Sequence, residues 1–136
     1  MSLPGSVSVL VVDDEELMRQ LLKKILEREG YTVQEADSVA EAKDLLSGND
    51  FDVIVSDIKM PDEDGFSLLK YVKENYPDIG VALITGHGDT YSVKDAMLLG
   101  ADEYVAKPFK SYEIALVVER MYWRSVSKAR MEKSGA

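Results

Sequence analysis

The sequence has no cysteine and a single histidine among its 136 residues. No disulfide framework or thiolate metal site is therefore possible, and His87 has no second soft ligand with which to share a metal. Cationic residues are also scarce: 16 Lys and Arg stand against 25 Asp and Glu, a formal net charge of −9. That balance argues against direct nucleic-acid binding by the domain body, because a phosphate backbone has to be met by Lys and Arg. No apolar run approaches the roughly 18 residues that span a bilayer, and Met1 to Ser6 lacks the basic-then-apolar order of a signal peptide. Met1-Ser2-Leu3 fits an expression scar, and residues 1–6 are read as an N-terminal extension. With no membrane, export or disulfide signal, a cytoplasmic location is the expectation. Repeats and low-complexity tracts are missing too. What remains is a length suited to one compact domain and a 46% hydrophobic content, enough for one core and too high for disorder.

Five short apolar runs alternate with amphipathic stretches. Val7 to Val12 reads as a buried strand. Glu16 to Glu29 carries Leu17, Leu21, Leu22, Ile25 and Leu26 at helical spacing, and Gly30 stops it. Tyr31 to Ala36 is a second strand, after which Ser38 caps a helix with Glu41 three residues on. Phe51 to Ser56 is the third strand, Pro61 to Gly65 is turn chemistry, and Phe66 to Asn75 is helical. Val81 to Ile84 is the fourth strand, followed by the Gly86-His87-Gly88 loop and a helix over Thr90 to Leu99. Glu103 to Ala106 is a short fifth strand, and Ser111 caps a long last helix. Strand and helix alternating five times predict an α/β fold: a doubly wound, five-stranded parallel sheet with helices on both faces. The domain is expected over residues 7–123, with 124–136 as a helix extension or a linker to a missing effector.

In an open parallel sheet, ligands bind beyond the carboxyl ends of the strands. Asp13-Asp14-Glu15-Glu16 follows the first strand, Asp57 the third, Thr85 the fourth, and Lys107-Pro108 the fifth. In the strand order 2-1-3-4-5, Asp13, Asp14 and Asp57 converge at the switch point. Three carboxylates so close take up protons unless a cation intervenes. Magnesium, a hard ion that keeps several waters, suits such a site and leaves room for a phosphate oxygen. A carboxylate beside it can attack a phosphoryl donor and form an aspartyl-phosphate. Lys107 and Thr85 then supply an ammonium and a hydroxyl for the new charge.

These residues resemble the receiver domain of response regulators in bacterial two-component systems. The resemblance rests on Asp13-Asp14, on the run Ser56-Asp57-Ile58-Lys59-Met60-Pro61 ending in Gly65, on Thr85-Gly86, and on Tyr104 before Lys107-Pro108-Phe109. It covers about Val7 to Trp123. It implies the flavodoxin-like receiver fold and a phosphorylation switch with no other enzyme activity than promoting its own phosphorylation and dephosphorylation. Asp57 is implied as the phosphoacceptor. Asp14, Asp57 and the Lys59 backbone carbonyl are implied as magnesium ligands, with Asp13 acting mainly through water. Thr85 and Lys107 would hold the phosphoryl oxygens, and Tyr104 would be the switch aromatic that follows Thr85 inward. The Lys107-Pro108 bond is usually cis in the family. The Lys59 side chain and His87 sit where phosphoryl lifetime is tuned. The partners implied are a sensor histidine kinase or a phosphotransfer protein, with a homodimer and an effector domain as further candidates.

Each residue alone has a plainer account. Glu15 and Glu16 suit the positive end of a helix dipole, a lone Asp before a turn is commonly a cap, and Thr85, Tyr104 and Lys107 singly are ordinary. Their joint placement at strand ends is what carries the argument. On the last helix, Ile114, Val117, Val118 and Met121 form a core stripe, with Ser125 on the same side. Tyr112, Leu116 and Trp123 fall opposite and form a candidate interface, unless they pack on a loop or sit singly in water. Two other functions compete. An aspartyl phosphatase or phosphomutase would place a second Asp two residues after the nucleophile, where this chain has Lys59. A receiver-like interaction module that is never phosphorylated would lack part of the acidic site. A nucleotide site is disfavoured by the acidic, glycine-poor turn after the first strand.

Overall fold

The computed structural model describes residues 7–86 and 93–134, and the side chains of these except 93 and 129–134. The elements run β1 (Ser8–Val12), α1 (Glu16–Arg28), β2 (Thr32–Ala36), α2 (Val39–Gly48), β3 (Val53–Asp57), α3 (Gly65–Asn75), β4 (Gly80–Thr85), α4 (Val93–Leu98), β5 (Glu103–Ala106) and α5 (Ser111–Ser134). All four strand pairings are parallel, in the order β2-β1-β3-β4-β5. The expected doubly wound sheet is therefore present.

The continuous apolar runs are explained by the two packed faces. Alternate residues of each central strand point to opposite sides. Leu10, Val12, Ile54, Val81 and Leu83 join one cluster with α2, α3 and Ala96 of α4. Val9, Val11, Val53, Val55, Ala82 and Ile84 join another with α1 and α5. Fully burying each Val, Leu or Ile side chain among these stabilises the fold by about 1.5–3 kcal/mol before the entropic cost of ordering it.

Local signals set the connections. Ser38 Oγ accepts the Glu41 N–H at 3.1 Å, while the Glu41 carboxylate accepts from the Asp37 N–H, one residue before the cap, at 3.0 Å. Asp64 caps α3 by accepting the Ser67 N–H at 3.0 Å. Ser111 is the first helical residue of α5 instead of its cap; the Glu113 carboxylate reaches back to the Lys110 N–H at 3.0 Å. After α4, Gly100 adopts φ +94° and the chain turns into β5. Of the expected Thr90–Leu99 helix, residues 93–98 are helical, and 90–92 lie outside the described residues, as does His87.

In α1 only part of the expected stripe is buried. Leu22, Ile25 and Leu26 face the core with Met18 packed against them, whereas Leu17 is 81% and Leu21 44% exposed. At about 100° per residue, Leu17 lies well over a quarter-turn from the centre of the buried face. On α5, Ile114, Val117, Val118 and Met121 are buried as expected, and the Ser125 hydroxyl lies 3.5 Å from the Asp78 carbonyl. The helix continues past Trp123 to Ser134.

Candidate functional site

The site forms at the carboxyl ends of β1, β3, β4 and β5. Two of its residues terminate strands rather than follow them: Asp57 pairs in register with Ile84, and Thr85 with Ala106. Backbone bonds tie these ends together. The Ile58 N–H donates to the Ile84 carbonyl at 2.9 Å, and the Lys107 N–H donates to the Thr85 carbonyl at 2.8 Å. The loop after Asp57 closes through the Gly65 N–H and the Ile58 carbonyl at 2.7 Å, with Asp62 in a left-handed turn at φ 68°. A Cβ on Gly65 would lie 2.4 Å from the Asp57 carbonyl oxygen, so only glycine fits against this strand end.

Asp13, Asp14 and Asp57 each offer a carboxylate oxygen within 4.8 Å of the others. Asp13 is fully buried, Asp57 nearly so, and Asp14 is exposed. Burial pushes the Asp13 carboxyl up to about 6 against the opposing Glu15 N–H, with the Asp57 charge adding to the rise, Lys107 lowering it and Asp14 adding again. Burial also raises the Asp57 carboxyl, opposed by the Lys107 ammonium and by the Lys59 and Ile58 N–H groups. Lys107 Nζ stands 3.4 Å from Asp57 Oδ2. Thr85 is buried beside them at the end of β4. The Lys107-Pro108 peptide is cis, as the resemblance implies.

The residues fit a hard dication. Asp13 Oδ2 is buried without a hydrogen-bond partner, the only such side-chain nitrogen or oxygen among the described residues. A carboxylate oxygen left unsatisfied in the interior is costly, and here it belongs to an all-oxygen acidic cluster beside an open cleft lined by Asp14, Asp57, Lys59, Met60, Gly86 and Lys107. The donor set is the oxygen-rich kind that suits magnesium.

The other expected residues are more spread out. The Lys59 side chain is exposed in the loop after Asp57. Tyr104, on β5 opposite Leu83, is half-buried and packs against the cluster on the α2–α3 side of the sheet. Tyr112 is 64% and Leu116 47% exposed on α5; Trp123 is half-buried and meets the Tyr122 ring edge-on at 5.3 Å. Leu98, at 75%, is the most exposed large apolar residue of α4 among the described side chains. Sequence reasoning missed Arg19, whose Nη1 donates to the Asp13 carbonyl at 2.8 Å. Its position on the first turns of an amphipathic helix looks like a solvated charge, and no local pattern distinguishes it.

Comparison with known proteins identifies the family. Residues 9–119 match the family model described as the response regulator receiver domain. The DNA-binding transcriptional regulator NtrC of Proteus hauseri is 38% identical over 113 residues, covering 83% of this chain and 24% of NtrC. The transcriptional regulatory protein FixJ of Bradyrhizobium diazoefficiens is 33% identical over 124 residues, covering 91% of this chain and 60% of FixJ. Among solved structures, a response regulator receiver domain protein from Clostridium thermocellum superposes with a TM-score of 0.81 at 33% identity, covering 87% of this chain and 95% of that one. NtrX from Brucella abortus gives a TM-score of 0.87 at 30% identity, covering 94% of this chain and 29% of that one. The chain thus spans between about a quarter and three fifths of the length of these curated relatives. By its family match, its sheet order and its similarity to these proteins, the chain belongs to the response regulator receiver domain family of two-component systems.

Proposed function

We propose that this chain is a signalling switch in which Asp57 accepts a phosphoryl group from a sensor histidine kinase or a phosphotransfer protein. The observation that carries the reading is the Asp57 carboxylate, almost buried, grouped with Asp13 and Asp14 and faced by Lys107 Nζ at 3.4 Å. Asp14, Asp57 and the Lys59 backbone carbonyl would hold a magnesium ion, with Asp13 acting mainly through water. When bound, the ion offsets the repulsion among the acids and the charge of the incoming phosphoryl oxygens.

The chain's own groups do the rest. A carboxylate oxygen of Asp57 bonds to phosphorus while the phosphorus–nitrogen bond of a phosphohistidine donor breaks, and the imidazole leaves with the electron pair. Lys107 moves from its carboxylate partner to the phosphoryl oxygens, and the Thr85 hydroxyl donates to another. Drawing Thr85 toward the phosphoryl group lets Tyr104 turn further inward. The surface built by α4, β5 and α5, including Tyr112, Leu116 and Trp123, changes as a result. The output is a docking event, either a homodimer or a partner such as an effector domain, and the only chemistry the domain promotes is its own phosphorylation and dephosphorylation. A cytoplasmic site of action goes with this role; no helix among the described residues is long and apolar enough to cross a membrane. Residues 7–123 form the receiver unit, and residues 124–136 are a helix extension or a linker to a missing effector.

Intact mass spectrometry after incubation with acetyl phosphate and magnesium tests the nucleophile. One added phosphoryl group is expected on the normal protein and none on Asp57→Asn, whose amide is a poor nucleophile. Equal labelling of the variant would move the acceptor elsewhere. No labelling of either would favour an interaction module that is never phosphorylated.

A further inference from the structure

Asp13 is held at three of its four polar groups. Its N–H donates to the Ala36 carbonyl at 3.1 Å, its Oδ1 accepts from the Glu15 N–H at 2.9 Å, and its carbonyl accepts from Arg19 Nη1 at 2.8 Å. Only the buried Oδ2 is left for the acidic cluster. The first two contacts use backbone N–H groups near the turn, so no side chain other than that of Asp13 itself can remove them. The third depends on one guanidinium, six residues along on α1.

That guanidinium is itself anchored. The Arg19 side chain is only 16% exposed, and its Nε lies 3.4 Å from Glu35 Oε1 on the edge strand β2. The other Glu35 oxygen lies 3.7 Å from Lys23 Nζ, one turn further along α1. A planar guanidinium presents donors in several fixed directions and can bridge two acceptors at once, which an ammonium does less well. The acceptor it holds matters because a peptide group is planar. Fixing the Asp13 carbonyl fixes the peptide plane between Asp13 and Asp14, and so the direction in which the chain leaves toward Asp14.

We infer that Arg19 is a positioning residue for the magnesium site: it clamps the Asp13–Asp14 peptide to β2 and so aims both acids at the position of the ion. The inference rests on the metal reading above. It has a diagnostic sign. If Arg19 acted only as a nearby cation, removing it would tighten binding of a dication, because one repulsion is lost. A clamp predicts the opposite, since loss of a group that orients metal ligands typically lowers affinity by about 10–100-fold.

The test is magnesium titration by calorimetry, with manganese binding followed by electron paramagnetic resonance, on the unphosphorylated full chain. Each variant is first shown to be folded by circular dichroism in EDTA. Arg19→Gln is expected to bind about tenfold more weakly. Arg19→Met, which keeps the apolar stem for packing if the Gln variant folds poorly, should behave alike. Arg19→Lys should recover only part of the affinity. Lys23→Gln removes the same charge from the same helix, and Lys23 pairs with Glu35 rather than with the Asp13 carbonyl, so it should bind as the normal protein does or slightly more tightly. Arg19 variants that fold and bind magnesium as tightly as the normal protein, or more tightly, would overturn the clamp. Absence of binding by the normal protein would sink the metal reading, and the clamp with it, and would be recognised by the behaviour of that one protein.

Discussion

Replacing Asp13 by Asn should stabilise the metal-free protein while weakening its response to magnesium. Asp13 is fully buried and its carboxyl is raised to about 6 from an ordinary 3.8, chiefly by that burial. A folded-state value above the unfolded one means that the folded chain holds the proton more tightly. Folding is therefore least penalised by this group below about pH 4, loses stability as pH rises through the window from 3.8 to about 6, and is flat above it. At neutral pH the full rise corresponds to about 3 kcal/mol. Asparagine has no charge to desolvate, so Asp13→Asn should gain about 1–3 kcal/mol at pH 7 in EDTA, with the advantage shrinking toward pH 4. Urea unfolding followed by the fluorescence of Trp123, the only tryptophan, gives both numbers. Magnesium stabilises whichever state binds it, so it should close much of the gap by raising the normal protein more than the variant. An Asp13→Asn protein no more stable than normal at pH 7 without metal, or an advantage that persists unchanged at pH 4, would refute the argument from buried charge.

Two further outcomes follow from the geometry. Gly65→Ala places a Cβ 2.4 Å from the Asp57 carbonyl oxygen and 2.8 Å from the Ile58 Cα, both backbone atoms that cannot move without the strand end. It should cost roughly 1–3 kcal/mol in denaturant unfolding and slow acetyl phosphate labelling of Asp57; a variant of normal stability and normal labelling would show that the loop yields. Beryllium fluoride, as a phosphoryl mimic, should promote self-association in sedimentation experiments or shift Trp123 fluorescence, and Leu116→Glu should abolish the association, because it puts a charge on the half-exposed apolar face of α5. Association that survives Leu116→Glu would place the partner surface elsewhere.

Much of the fold was legible because a parallel sheet writes itself into the chain one period at a time. The unbroken apolar runs of β1 and β4 follow from two covered faces, and the cap at Ser38 acts within a few residues of itself. Where the reading slipped, the controlling interaction was not local. Leu17 counts as apolar at a plausible spacing, but it lies outside the face that α1 turns to the sheet and α5, so it is left in solvent. Ser111 is a good capping residue by type, yet the Glu113 carboxylate binds the Lys110 N–H and the helix starts one residue earlier than a Ser111 cap would put it. Tyr112 and Leu116 were placed outward correctly by periodicity; Trp123, on the same stripe, is half-buried against Tyr122 because ring contacts depend on what each side chain meets.

The sequence by itself determined the alternation of strands and helices, the glycines at tight turns, and the identity of the acids, hydroxyl and ammonium that stand at strand ends. Those are matters of residue type and short spacing, governed by backbone sterics and hydrophobic periodicity. Only the tertiary structure decided how these residues meet. It brings Asp57 within 3.4 Å of a lysine fifty positions away. It buries Asp13 while leaving its neighbour Asp14 in solvent. It also sets Arg19 between the Asp13 carbonyl and Glu35 of the edge strand. Desolvation and charge separation depend on the distances between strands, and those exist only once the sheet has closed.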